Sequence, residues 1–110
     1  TVTDSARIIA TRMPLSVYWP ETVAVEMARY HPIAQVQTWL SAAGFTTLRE
    51  ESVEHSYALT DAAPYRTRSY SALRLIDDAA FARGLAALEA DLAQQDALTC
   101  TARYTLLWAS

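Results

Sequence analysis

The stretch Ala42-Ala43-Gly44-Phe45 limits what this chain can fold into more than any other. Ahead of it, Ile33, Val36, Trp39, Leu40 and Ala43 recur three and four residues apart, which draws one apolar stripe along a helix. A glycine directly behind such a stripe suits the left-handed residue that ends a helix, with an apolar residue after it. Strand formers begin at once and fill 46–57, and a second, more apolar strand over 103–109 closes the sequence. A stopped helix, a strand, a helical excursion and a final strand exclude an all-α or all-β reading. They predict an α+β arrangement, mostly helical, with two antiparallel strands at about 46–57 and 103–109. At 110 residues the chain makes one domain, or a fragment of one.

The two strands differ in character. The first carries Arg49, Glu50, Glu51 and Glu54, and neither alternate set of its residues is cleanly apolar. That pattern predicts an edge strand, broken by a bulge near Glu51-Ser52. The second alternates Tyr104, Leu106 and Trp108 with Thr105 and Leu107, so both of its faces are predicted to be covered, as inside a sheet. Upstream, Asp4 or Ser5 caps a helix over 6–12, and Pro14 ends it. Tyr18-Trp19-Pro20-Glu21 leads into another helix, with Val23, Met27 and Tyr30 as its apolar face. Pro32 then opens the helix that Gly44 stops. Downstream, Thr60 or Asp61 caps a helix with Pro64 in its first turn, reaching about Tyr70, and 71–76 is a short apolar connector. Asp77-Asp78 begin the strongest helix, with Phe81, Leu85, Leu88 and Leu92 on one face. Gly84 inside it costs roughly 1 kcal/mol relative to Ala, which predicts a close approach by a neighbouring element.

Composition removes several function classes. The net charge is −3 and all nine basic residues are Arg, with no basic stripe interleaved with aromatics, so nucleic acid is not an expected partner. No apolar run reaches the ~20 residues needed to cross a bilayer, and no leader-like start is visible. Cys100 stands alone, so no internal disulfide forms, as befits a reducing compartment, and the expected location is the cytoplasm. Cys100, His31 and His55 lack metal-ligand spacing, so no metal is expected. Gly44 and Gly84 lie far apart, which leaves no glycine-rich phosphate loop. Glu50, Glu51 and Glu54 read as a solvated strand edge, and Cys100 beside an apolar strand reads as an inert thiol. Two aromatic and basic clusters remain. Tyr18 and Trp19 with Arg29, Tyr30 and His31 are candidates for one wall of a small-molecule pocket, and Arg66, Arg68 and Tyr70 for another. Against this stands the plainer reading that aromatics at helix starts anchor the core and exposed Arg side chains are solvated.

Taken in order, these stretches resemble the C-terminal region of class I S-adenosylmethionine-dependent methyltransferases, the group that includes the ubiquinone and menaquinone biosynthesis methyltransferases. Tyr18-Trp19-Pro20-Glu21 is similar to the aromatic-proline approach to the helix after the fifth strand of that fold. Arg29-Tyr30-His31-Pro32, then Val36 and Trp39-Leu40, resembles the helix before the sixth strand, and Ala42-Ala43-Gly44-Phe45 its frequent ending. Arg68-Ser69-Tyr70-Ser71-Ala72-Leu73 and Phe81-Ala82-Arg83-Gly84-Leu85 are similar to the helical insertion between the last two strands, and Arg103-Tyr104-Thr105-Leu106-Leu107 to the final strand.

The resemblance implies the tail of a Rossmann-like fold whose last strand inserts antiparallel between the fifth and sixth. The glycine-rich loop and the ribose-binding acid of that fold have no counterpart here. S-adenosylmethionine is therefore implied for the parent enzyme and is not expected to bind this chain, which alone would be inactive. Tyr18, Trp19, Tyr30, His31, Arg68 and Tyr70 are implied to shape the pocket for a small aromatic or apolar acceptor, with His31 the one candidate proton acceptor. The start at Thr1 without a Met reads as a fragment. With the fifth strand absent, the edge of 103–109 would be bare, which predicts a homodimer or strand exchange through it. The alternative is a non-enzymatic α+β module, for oligomerisation or ligand binding, that shares this layout.

Overall fold

A computed structural model describes the backbone of residues 2, 3 and 5–110 and the side chains of 5–110. The chain runs β1 (Val2–Thr3), α1 (Ala6–Thr11), α2 (Leu15–Tyr18), α3 (Glu21–Arg29), α4 (Ile33–Ala42), β2 (Leu48–Leu59), α5 (Ala63–Arg66), a 3₁₀ turn (Ser71–Arg74), α6 (Asp78–Gln94) and β3 (Leu98–Ala109). The fold is α+β, with the strands in the order β1-β3-β2 and the middle strand antiparallel to both neighbours.

Local signals fix most of the helix ends. The Ser5 hydroxyl accepts from the Ile8 amide at 3.2 Å and opens α1, while the Asp4 alternative lies outside the described residues. Asp77 caps α6 by accepting from the Ala80 amide at 2.7 Å. Behind α4 the Phe45 amide donates to the Leu40 carbonyl and the Gly44 amide to that of Ser41, with Gly44 at φ 104°. These two bonds together make the Schellman ending. The helix expected after a cap at Thr60 or Asp61 and reaching about Tyr70 stops after a single turn, at Arg66. Arg68 takes φ 52° there, a left-handed turn that few non-glycine residues adopt and that no helix can pass through.

The strand pair departs from expectation in three ways. β3 begins at Leu98, five residues earlier than the sequence suggested, because the Leu98–Thr101 stretch pairs along the far end of β2. The ladder runs from Leu48↔Ala109 to Leu59↔Leu98 without interruption, so the bulge expected at Glu51-Ser52 does not occur. Third, β3 is not covered on both faces. Leu98 and Cys100 are buried at its start and Thr105 and Leu107 near its end, whereas Tyr104 and Trp108 are exposed. In an unbroken ladder even and odd residues face opposite ways, so the cover changes sides halfway along the strand. Leu59, Leu98 and Cys100 join the main core, while α1 flanks the opposite face around Ser52, Glu54, Arg103 and Thr105.

The edge of β3 that was expected to be bare is partly occupied. Val2 pairs with Leu106, Thr3 with Thr105, and Met13 bridges to Thr101.

Trp19 centres the core. It is fully buried, stacks on Tyr65 at 5.6 Å and on Phe81 at 6.2 Å, and its indole N–H donates to the Phe81 carbonyl at 3.0 Å. Leu15, Leu59, Leu73, Leu88 and Leu98 close around it. Gly84 provides the clearance, since a methyl group there would collide with the Trp19 ring and lie 2.6 Å from the Tyr18 carbonyl oxygen. α3 turns a different face inward from the expected Val23, Met27 and Tyr30. It buries Thr22 and Glu26, because the Thr22 hydroxyl bonds the Trp19 carbonyl at 2.7 Å and fixes the helix rotation there. Glu26 is paired with Arg29 at 3.3 Å.

The core occupies only part of the molecule. α4 buries none of its residues, and Trp39, Phe45, Val53, Tyr104 and Trp108 are all exposed. The molecule measures 51 × 28 × 19 Å with a radius of gyration of 16.3 Å. A compact chain of this length would have a radius of gyration of about 13 Å.

Candidate functional site: a tyrosine-lined cavity

Both outer strands run against β3, so β1 and β2 point the same way. Just past the last residue of β1, beside the end of β2, lies a cavity of about 270 Å3. Five of the six tyrosines in the chain line it: Tyr30, Tyr57, Tyr65, Tyr70 and Tyr104. Each arrives from a different place. Tyr30 ends α3, Tyr57 lies near the end of β2, Tyr65 is held in α5, and Tyr70 precedes the 3₁₀ turn. Tyr104 comes from β3 and shares a face with Tyr57, because its partner Val53 lies four residues before Tyr57. Met13, Pro14 and Leu15 form the apolar side, and among the described residues Arg12 and Arg103 are the charged ones at the rim, Arg103 projecting with its ladder partner Glu54 on the face opposite Tyr57 and Tyr104.

The phenols form a linked group. Tyr65 and Tyr70 stack at 4.9 Å with their planes 21° apart, and Trp19 backs Tyr65 from the core. Burial pushes the Tyr65 phenol far above the usual tyrosine range, and hydrogen bonds with Tyr57 and Tyr70 push it further. Tyr57 is raised as well, by burial first, with its bond to Tyr65 working the other way. Cys100, opposite Tyr57 in the ladder, has its thiol raised by burial. A thiol held protonated and fully buried is a poor nucleophile, so Cys100 packs and does no chemistry. The cavity therefore presents phenol hydroxyls and aromatic faces. That arrangement can bind and orient a planar ligand, and among the described residues no Asp, Glu or His lines it.

Of the six residues nominated from the sequence, the cavity brings together Tyr30 and Tyr70. Tyr18 does not line it and donates instead to Asp91 Oδ2 at 2.5 Å, on α6. Trp19 is the core anchor described above. His31 is exposed and sits edge-on to Trp39 at 4.8 Å, away from the cavity. Arg68 pairs with Asp78 at 2.8 Å and covers the Phe81 ring at 4.0 Å. Sequence reasoning did not nominate Tyr57, Tyr65, Tyr104, Arg12 or Arg103 for the pocket. Tyr57 and Tyr104 become neighbours only once the strand register is known, and Tyr65 looked like one more helix residue beside Pro64.

Among the described residues no group of three or more His, Cys, Asp or Glu side chains is arranged to hold a metal ion. Among them, too, no helix is long and apolar enough to cross a membrane. Neither glycine forms a cradle for a nucleotide: Trp19 occupies the space at Gly84, and Gly44 ends a helix with nothing within 4 Å. No known family, characterised protein or solved structure matches the chain.

Proposed function

We propose that this chain is the acceptor-recognition part of a methyltransferase that uses S-adenosylmethionine and acts on a small molecule. The observation that carries the reading is the strand order β1-β3-β2 with an antiparallel middle strand. The resembled fold ends in the same order, its last strand running between the fifth and sixth. In that assignment β1 corresponds to the end of the fifth strand and β2 to the sixth. A second feature agrees: open α/β sheets bind ligands beyond the carboxyl ends of their strands, where the tyrosine-lined cavity opens. The cavity would hold the acceptor and aim it. Methyl transfer needs close alignment of the two partners more than strong acid or base, and a rigid aromatic pocket supplies alignment. The cofactor belongs to other residues of the parent protein.

The test is the gene product that includes whatever precedes Thr1 in its reading frame. A glycine-rich strand–loop–helix there, and methyl transfer from labelled S-adenosylmethionine to planar aromatic acceptors, are expected. Tyr70→Ala and Tyr30→Ala should raise the acceptor KM about tenfold, the order expected for losing one stacking ring, with cofactor affinity unchanged. A start codon immediately before Thr1 removes the reading.

One observation favours the second reading, an oligomerisation module. The exposed apolar side chains of α4 and of the β2–β3 ribbon form surface that an isolated chain leaves in water. A dimer would cover the ribbon face that carries Val53, Tyr104 and Trp108, since β1 and Met13 already occupy parts of the β3 edge.

A further inference from the structure

We infer that two copies of this chain join along the outer edges of their β2 strands, antiparallel about a two-fold axis at Val53. The inference rests on the oligomerisation reading and names the edge and the register that such an assembly uses.

The edge is long and open. β2 closes the sheet on one side, and among the described residues no strand pairs along its outer edge. Residues 49–56 are all exposed. An edge of this kind carries a row of free N–H and C=O groups, which a further strand satisfies. The ladder with β3 runs from Leu48 to Leu59 without a bulge to turn the edge away. The opposite outer strand, β1, is only two residues long and offers no comparable template.

Charge selects a second copy and fixes its register. A two-fold pair sets residues of the same sheet face opposite one another, so each register is centred on a single residue. Centres at Glu50, Glu51 and Glu54 set a glutamate against its own copy, and a centre at Ser52 sets Glu50 against Glu54. Like charges directly opposite destabilise a sheet. A centre at His55 sets Glu51 against Leu59, which is buried in the core. A centre at Val53 avoids all of these. It sets Glu51 opposite His55 and Glu50 opposite Ser56, each twice, and both partners can donate a hydrogen bond to the carboxylate. Glu54 keeps its own Arg103 at 3.6 Å. Arg49, whose guanidinium lies over Trp108 at 5.3 Å, is set beside Tyr57 of the second copy, a second aromatic face for the same cation. Val53 and its ladder partner Tyr104, both exposed, then form one apolar row across the junction.

The experiment measures the dimer constant of the 110-residue chain by sedimentation, together with disulfide trapping. The wild type should dimerise. His55→Glu should weaken the dimer about tenfold, because it sets glutamates opposite one another twice. Adding Glu51→Lys in the same chain should restore it. Val53→Cys should link to its own copy under mild oxidation, whereas Ser56→Cys, well away from the axis, should not. Cys100 is buried and stays out of that reaction. All four substituted positions are exposed, and an unchanged circular dichroism spectrum checks the fold. A dimer that tolerates His55→Glu, or in which Ser56→Cys links as fast as Val53→Cys, overturns this edge and register while the oligomerisation reading stands. A wild type that stays monomeric at high concentration overturns both.

Discussion

Trp19 and Gly84 make one joint at the scale of single residues. The indole lies where a side chain on Gly84 would be, so the glycine's cost to helix propensity is offset by close contact between α2 and α6. Gly84→Ala should therefore destabilise the chain, although alanine is the better helix former by about 1 kcal/mol. Overpacking a rigid core typically costs about 1–3 kcal/mol, and that is the expected loss in a urea titration. An unchanged midpoint would mean that Trp19 can move aside. Tyr18 offers a second test. Burial first, and then its bond to Asp91, push its phenol up to about 12 from 10.0. A folded-state pKa above the unfolded one gives stability that is complete below pH 10 and lost as the pH rises through about 12. Tyr57 and Tyr65 are raised in the same direction and add to the effect. Circular dichroism with phenolate absorbance should show unfolding and ionisation rising together in that window. Tyr18→Phe should flatten the stability profile there, and identical profiles for both proteins would remove Tyr18 from the account.

Among the elements, α4 stands apart. Its stop is a Schellman ending, and its stripe of Ile33, Val36, Trp39 and Leu40 is regular, yet none of these residues is buried. A helix normally draws most of its stability from burying such a stripe. Trp39→Ser should therefore change the stability of the isolated chain by no more than about 0.5 kcal/mol, as for ordinary surface positions. A loss of 2 kcal/mol or more in denaturant would mean that Trp39 is covered in solution. The element scale also explains why the strands were hard to read. β2 is exposed on both sides for most of its length, and the cover of β3 changes sides between Cys100 and Thr105. No single alternation could describe either one. The capped helix starts at Ser5 and Asp77 and the Gly44 stop were legible because each depends on residues a few positions apart. The rotation of α3 was not, because it is set where Trp19 enters the core, with the Thr22 hydroxyl bonded to the Trp19 carbonyl.

At the scale of the whole molecule, the shape is long for 110 residues, and Val53, Tyr104 and Trp108 on the ribbon and Trp39 on α4 are exposed. Exposed strand and helix faces of this kind favour association. Sedimentation at increasing concentration should give a dimer, and Trp108→Asp, at an exposed position on the ribbon, should return it to a monomer with little loss of fold. A wild-type chain that stays monomeric at high concentration would leave the oligomerisation reading without support.

The sequence by itself determined the α+β class, the antiparallel strand pair, the capped ends of the helices and the need for close contact at Gly84. Those features come from local spacing, backbone preference and the absence of a side chain. Only the tertiary structure decided where the cavity is and what lines it. Its tyrosines come from a helix end, two strands, a one-turn helix and a loop. The ladder register brings Tyr57 to the same face as Tyr104, and the left-handed turn at Arg68 ends α5 where Tyr70 can stack on Tyr65. Residues far apart in the chain carry no spacing signal for one another, so the site had to wait for the fold.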